Sequence, residues 1–217
     1  MAKVIAPLLS FGADGQIAKT GVYSKWKGIP YVRRYVIPAN PRTTRQMVTR
    51  LLFKKLQQMW LLLPGDAKLP WIANAQGRPY TATNKWTSVN VSGLDTSTPP
   101  TDMDFLQGSP GAKGGLPPAS ITPTPGSAQI SLAVGAPQIP DDWTIVRAQG
   151  IAFLNQDPQV NFEGSIQYAE DLSSAYALVF TGLTGGEEYV LTAWLEWERP
   201  DGTLAYSTSL TTTATPS

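Results

Sequence analysis

Three regimes of hydrophobic patterning follow one another along the chain. Residues 16–37 alternate apolar and polar side chains. Gln16–Trp26 is rich in β-formers, Lys27-Gly28 offers a tight turn, and Ile29–Ile37 alternates again, which predicts a β-hairpin. Pro38-Ala39-Asn40-Pro41 stops that strand. Asn40 as N-cap with Pro41 at the first helical position predicts a helix from there to about Leu63, where Pro64-Gly65-Asp66 ends it. Short helical segments are expected around Pro70–Ala75 and Thr83–Val91, with Gln76-Gly77-Arg78-Pro79 as the break between them. From residue 119 the pattern returns to β. Ala128–Val134, Trp143–Leu154, Ser165–Tyr168, Ala175–Thr181, Tyr189–Glu198 and Thr203–Thr213 read as strands, and short strands at this spacing predict a β-sandwich. The fold class expected is an α+β module followed by an all-β, immunoglobulin-like sandwich.

The long helix is unusually apolar. From Met47 to Leu63, 11 of 17 residues are apolar, and they extend most of the way round the helix. Such a helix needs cover on two sides. Trp71, Trp86 and the hairpin are candidate covers within the chain, and another chain is the alternative. In Ser92–Pro118, 10 of 27 residues are Gly or Pro, which reads as a linker or a long irregular loop. The expected organisation is a module at 1–91, a linker at 92–118 and a sandwich at 119–217.

Charge sharpens that division. The 217 residues carry a net charge of +1, but residues 1–93 hold 14 basic side chains against two acidic ones, a net of +12. Residues 94–217 hold three basic side chains against 14 carboxylates, a net of −11. The near-neutral total is a cancellation, and the polarity points to assembly or to two different partners. The chain has no Cys and no His. This excludes His-based acid–base catalysis, Ser-His-Asp and Cys-His nucleophiles, Cys/His zinc sites and disulfides. The sequence points to no cofactor and to no enzyme. The apolar stretch Val4–Phe11 is short and broken by Pro7, too weak for a secretory signal, and no apolar run approaches the roughly 20 residues of a transmembrane helix. No membrane partner is expected.

The most site-like stretch is the hairpin. Tyr23, Lys25 and Lys27 share one face of the first strand, and Tyr31, Arg33 and Tyr35 share a face of the second. Interleaved aromatics and cations suit a solvated face over a small core, a protein interface, or the stacking of bases and neutralisation of phosphates. Arg42, Arg45, Met47, Leu51 and Phe53 extend the candidate interface along the start of the helix. Glu196 and Glu198 share a strand face at a spacing compatible with cation binding, but without a third ligand they read as solvated acidic surface. Gly108–Gly115 lacks the Gly before Lys113 and the Ser or Thr after it that a phosphate loop needs, and reads as a flexible loop.

Two resemblances follow from particular residues. Thr181-Gly182-Leu183-Thr184-Gly185-Gly186-Glu187-Glu188-Tyr189 resembles the E–F corner of fibronectin type III domains. The resemblance implies that Tyr189 bonds back across the corner and that Leu183 plugs the core beneath it. Strand B departs from that family, offering Val134 where a Trp is usual, so the broader immunoglobulin-like label is the safer one. Residues 16–91, through Val22-Tyr23-Ser24-Lys25-Trp26-Lys27-Gly28, Asn40-Pro41-Arg42-Thr43 and Gln46 to Arg50, look like a module of tailed-bacteriophage structural proteins. Trp60, Trp71 and Asn90 fit the same module. Together the resemblances imply a non-enzymatic virion structural protein, assembled in the host cytoplasm. The first role implied is head decoration (cement), with the major capsid protein and further copies of the chain as partners. A tail-tube or neck component and a nucleic-acid-binding protein are the alternatives.

Overall fold

A computed structural model describes residues 2–3, 15–37, 39–40, 42–92, 102–140, 142–158 and 161–217. The weak leader-like stretch at Val4–Phe11 and the Pro41 helix start lie outside these residues. The chain divides into two compact units, Met1–Arg42 and Thr43–Ser217.

The first unit is a four-stranded antiparallel sheet of β1 (Ala2–Lys3), β2 (Gly15–Ile17), β3 (Gly21–Trp26) and β4 (Ile29–Arg34), in the order β1-β4-β3-β2. Lys27 and Gly28 have φ of 48° and 80°. Positive φ at both central residues is the signature of the type I′ turn, whose twist matches that of the strands it joins. The expected hairpin is present. The stretch read as one strand over Gln16–Trp26 is broken, because Ala18 and Lys19 also take positive φ and turn β2 into β3.

The second unit begins with α1 (Thr44–Leu62), α2 (Gly65–Ala75) and α3 (Ala82–Ser92). The N-cap of α1 is Thr43 rather than Asn40: its side chain accepts the Gln46 N–H at 3.4 Å. Thr43-Thr44-Arg45-Gln46 has the Thr-x-x-Gln spacing of a capping box, a local signal that competes with the upstream Asn-Pro. Leu63 caps the end of α1 and Pro64 the start of α2, so Pro64-Gly65 joins two helices instead of opening a loop, and α2 starts five residues before the expected segment.

The remaining strands build a sandwich. One sheet has the order β10 (Ala177–Thr181), β7 (Gln129–Gly135), β6 (Ser120–Gly126). The other has the order β5 (Pro110–Ala112), β12 (Leu204–Thr208), β11 (Tyr189–Glu198), β8 (Thr144–Leu154), β9 (Gln167–Asp171), with β13 (Leu210–Ala214) also paired to β11. All strand pairings of both sheets are antiparallel. Ile130, Leu132, Leu178 and Phe180 of the first sheet meet Ala148, Ala152, Leu191, Leu195 and Trp197 of the second in one core. This is the immunoglobulin-like sandwich, and its corner is built as expected: the Thr184 N–H donates to the Tyr189 hydroxyl at 3.0 Å above buried Leu183.

The helices lie on the opposite face of the larger sheet. Ile151, Phe153, Val190, Trp194 and Tyr206 form a second core with Leu52, Leu56, Met59, Trp71 and Trp86. The second unit is therefore three layers: helices, larger sheet, smaller sheet. The helices belong with the sandwich and not with the hairpin, and the division expected at residues 91 and 92 does not coincide with that of the contacts. β11 explains why. It is buried from Tyr189 to Trp197, on both faces. Tyr189, Leu191, Ala193, Leu195 and Trp197 alternate along one apolar face, and Val190 and Trp194 on the other face call for a second apolar layer.

The Gly/Pro-rich segment belongs to that layer. Met103 and Leu106 are fully buried in the helix–sheet core, and β5 pairs with β12. The Trp71 indole N–H donates to the Gly108 carbonyl at 2.8 Å, and Asn74 Nδ2 to the Gly111 carbonyl at 2.6 Å. The Gln107 N–H donates to Asn90 Oδ1 at 2.7 Å. Residues 102–118 are a clasp between helices and sheet, and not the flexible loop that Gly108–Gly115 suggested. Glycine is used here for close approach as much as for freedom.

Candidate functional site

The register of β3 against β4 sorts the hairpin candidates. Trp26 lies opposite Ile29, Ser24 opposite Tyr31 and Val22 opposite Arg33. Directly opposed residues share a face. One face therefore carries Val22, Ser24, Trp26, Ile29, Tyr31 and Arg33. Lys25 lies opposite Pro30, and Tyr23 opposite Val32, so Tyr23 and Lys25 occupy the other face with Pro30, Val32 and Arg34. The six hairpin residues do not form one surface. Tyr31 and Arg33 stand together, while Tyr23 and Lys25 stand behind them. Lys27 sits in the turn with its ammonium 5.0 Å from the Trp26 ring centre, within cation–π range. Tyr35 lies just past β4, where its N–H donates to the Thr20 carbonyl at 3.0 Å.

Sequence reasoning placed Trp26 in a resembling motif but not among the site residues. It is 62% exposed, and Ile29 opposite it 42% exposed. The signal is the tight turn itself, which puts its two flanking residues side by side at the end of the hairpin. Val36 and Ile37, after β4, are also exposed.

Of the remaining candidates, Arg42 belongs to the first unit, is exposed and has φ of 49°. Arg45, Met47, Leu51 and Phe53 belong to the second. Arg45 is exposed in the first turn of α1, and Met47 and Leu51 are half-buried. Phe53 is 45% exposed and, with Gln57, Asn84, Thr87, Ser88 and Val91, lines a groove of about 500 Å³ between α1 and α3. Leu61 and Leu62, at the other end of α1, are exposed as well. Trp71 and Trp86 cover one side of this apolar helix, and these outward residues stay exposed.

The acidic candidates change character. Glu196 is only 3% exposed, so it is not solvated surface. Its Oε2 accepts Arg147 Nε at 2.7 Å, and Arg147 Nη1 reaches Glu170 Oε2 at 2.5 Å. The Tyr168 hydroxyl donates to Glu170 at 3.0 Å and accepts from Gln149 Nε2, whose amide oxygen takes the Trp194 indole N–H at 2.8 Å. This ladder on β8, β9 and β11 is fully partnered, which is how a charge pair survives burial. Glu198 is exposed. A second acidic group lies elsewhere. The Asn155 side chain accepts the Met103 N–H at 2.8 Å and donates to Glu188 at 2.6 Å, tying two chain segments together. Burial and the nearby Asp102 and Glu188 carboxylates raise the pKa of Asp104. Among the described residues, no three Asp or Glu side chains gather as metal ligands.

Lys55 was not anticipated. It is 1% exposed, and its ammonium donates to the Asp157 carbonyl at 2.7 Å. Burial pushes its pKa down to about 8, against the attraction of Asp157 and Glu163.

No family model matches the sequence. No curated protein matches it either. Among solved structures, the chain is similar to a myokine at 10% identity, covering 48% of this chain and all of the other, with a TM-score of 0.36. A computationally redesigned β-sandwich protein matches at 20% identity over 46% of this chain and 88% of that one, TM-score 0.33. The fourth fibronectin type III domain of a human protein matches at 18% identity over 49% and 82%, TM-score 0.33. Among the described residues, no helix is long and apolar enough to cross a membrane.

Proposed function

We propose that this chain is a non-enzymatic virion structural protein, a decoration protein that grips a phage capsid shell and neighbouring copies of itself. The observation that carries the reading is the Met1–Arg42 unit. It is a small sheet set apart by its contacts from the rest of the chain, with an exposed aromatic and cationic tip. It carries seven basic side chains and one acidic one, whereas Thr43–Ser217 carries 10 basic and 15 acidic. A basic hairpin face carrying Trp, Tyr and Arg has the composition of an interface anchor. Opposite charge on the larger unit suits it to orientation and partner selection. The resemblance of residues 16–91 to a phage structural module gives the class of assembly. The immunoglobulin-like unit would then be the part that the basic unit attaches.

Quantitative mass spectrometry of purified particles tests the proposal. A copy number near that of the major capsid protein is the expected result. Absence from particles overturns the virion reading, and a copy number near that of a tail-tube subunit moves the protein to the tail.

A further inference from the structure

We propose that the Trp26 face of the hairpin docks on the acidic Thr43–Ser217 unit of a second copy of the chain, in a head-to-tail contact. The inference rests on the assembly reading above and names the partner surface within it.

The donor surface is defined by register. Trp26 and Ile29 stand side by side at the tip, both exposed, with Tyr31 and Arg33 behind them on the same face and Lys27 stacked on the indole. An exposed Trp flanked by cations is an anchor whose partner has to bring negative charge. The chain itself supplies that charge. The two units differ in sign, at +6 for Met1–Arg42 and −5 for Thr43–Ser217. A nucleic acid would be attracted to the first unit and repelled by the second, whereas another copy offers each unit its complement.

The receiving surface is narrowed by the acidic end of β8 and β11. There Asn155 ties the Met103 backbone to Glu188, which fastens Glu188 to the segment that carries Asp102 and Asp104. Like charges brought together in this way are relieved by an incoming Lys or Arg, and the hairpin carries Lys27 in its turn and Arg33 on the Trp26 face. Because donor and receiver are different patches, the contact is heterologous and continues from copy to copy along a surface or around a ring.

Sedimentation velocity of the full chain at rising concentration and at two ionic strengths tests this. Self-association that weakens with salt is expected. Trp26→Ala is expected to weaken it by roughly 30-fold, as loss of an interface anchor does. An Asp104→Lys/Glu188→Lys double variant is expected to be monomeric. The decisive measurement mixes those two variants in equal amounts. One intact donor and one intact receiver remain, so the mixture forms a dimer at concentrations where neither variant associates alone. Circular dichroism and unfolding midpoints like those of the parent establish that both variants are folded. A parent chain monomeric at every concentration, a Trp26→Ala variant that associates like the parent, or a mixture without dimer overturns the contact. A protein that stays monomeric in solution yet is found in particles loses this contact and keeps the virion role. Self-association in a protein absent from particles does the reverse.

Discussion

The Gly108 N–H donates to Thr192 Oγ1 at 3.1 Å, and a Cβ at Gly108 would lie 2.5 Å from that same oxygen. Residue 108 is pressed onto β11, whose Trp194 ring is also within 2.8 Å of the virtual Cβ. The contact closes the clasp between helices and sheet, and it admits only hydrogen at that position.

Gly108→Ala is therefore expected to destabilise the second unit by about 2–3 kcal/mol, the range of overpacked cores. Urea unfolding followed by Trp fluorescence measures it. A change within about 0.5 kcal/mol, the size of an ordinary surface substitution, would show that the clasp is not packed this way.

Tyr189→Phe removes the acceptor of the Thr184 N–H while leaving the ring in place over the corner. A loss of about 1 kcal/mol is expected, the net worth of one partly buried hydrogen bond. Amide hydrogen exchange at Thr184 should quicken in step with it. Unchanged exchange there would detach the tyrosine from the corner.

Glu196→Gln leaves Arg147 with only the more exposed Glu170. A cost of about 2 kcal/mol is expected, below the full value for a buried pair because Arg147 keeps a partner and some solvent. Replacing both Arg147 and Glu196 with Met and Leu should recover most of that loss. A double variant as unstable as the single one would mean that the pair contributes more than its own desolvation costs.

Lys55 gives the unit a pH dependence. Its folded pKa, about 8, lies below its unfolded value of 10.5, so the unfolded state binds more protons between these values. Stability then rises with pH from about 8 upward. Tyr168 and Tyr206 are shifted up by burial and by neighbouring carboxylates, Tyr206 to about 12. Their native states keep protons that the unfolded chain loses above about pH 10, which lowers stability there. The Lys55 effect is thus cleanest from pH 8 to 10. Denaturant midpoints across that window should rise for the parent and stay flat for Lys55→Met. Equal slopes would exclude Lys55 as the cause.

Nucleic acid is the competing partner for the basic arm. No gel shift with single- or double-stranded DNA at low salt is expected. A shift that weakens linearly with salt in log–log terms would assign the arm to phosphates instead.

Much of the fold was legible because local rules carried it. Lys27-Gly28 specified its turn by backbone preference, and Leu183 to Tyr189 specified the corner by spacing. The alternation of β11 specified which residues enter the sandwich core. Local pattern falls short where both faces of an element are buried. Val190 and Trp194 share a face of β11 with the polar Thr192 and Glu196, and they are what the helices cover. Gly-rich composition at 108–115 was read as freedom, but in the fold it permits close approach. The hairpin candidates were chosen by strand alternation. Which of them share a surface depended on register across the turn, and that set Trp26 beside Ile29 and put Tyr23 and Lys25 behind them.

By itself the sequence determined the element types, the sandwich and the cancellation of opposite charges, because propensity, periodicity and charge are properties of local stretches. Only the tertiary structure decided that the helices belong to the acidic sandwich and leave the basic hairpin as a unit of its own. That allocation depends on which apolar faces meet across more than a hundred residues of chain, as Trp71 and Trp86 meet Trp194 in one core. Burying those faces together outweighed the apparent break at the Gly/Pro segment, and the polarity of the chain became a small basic unit and a larger acidic one.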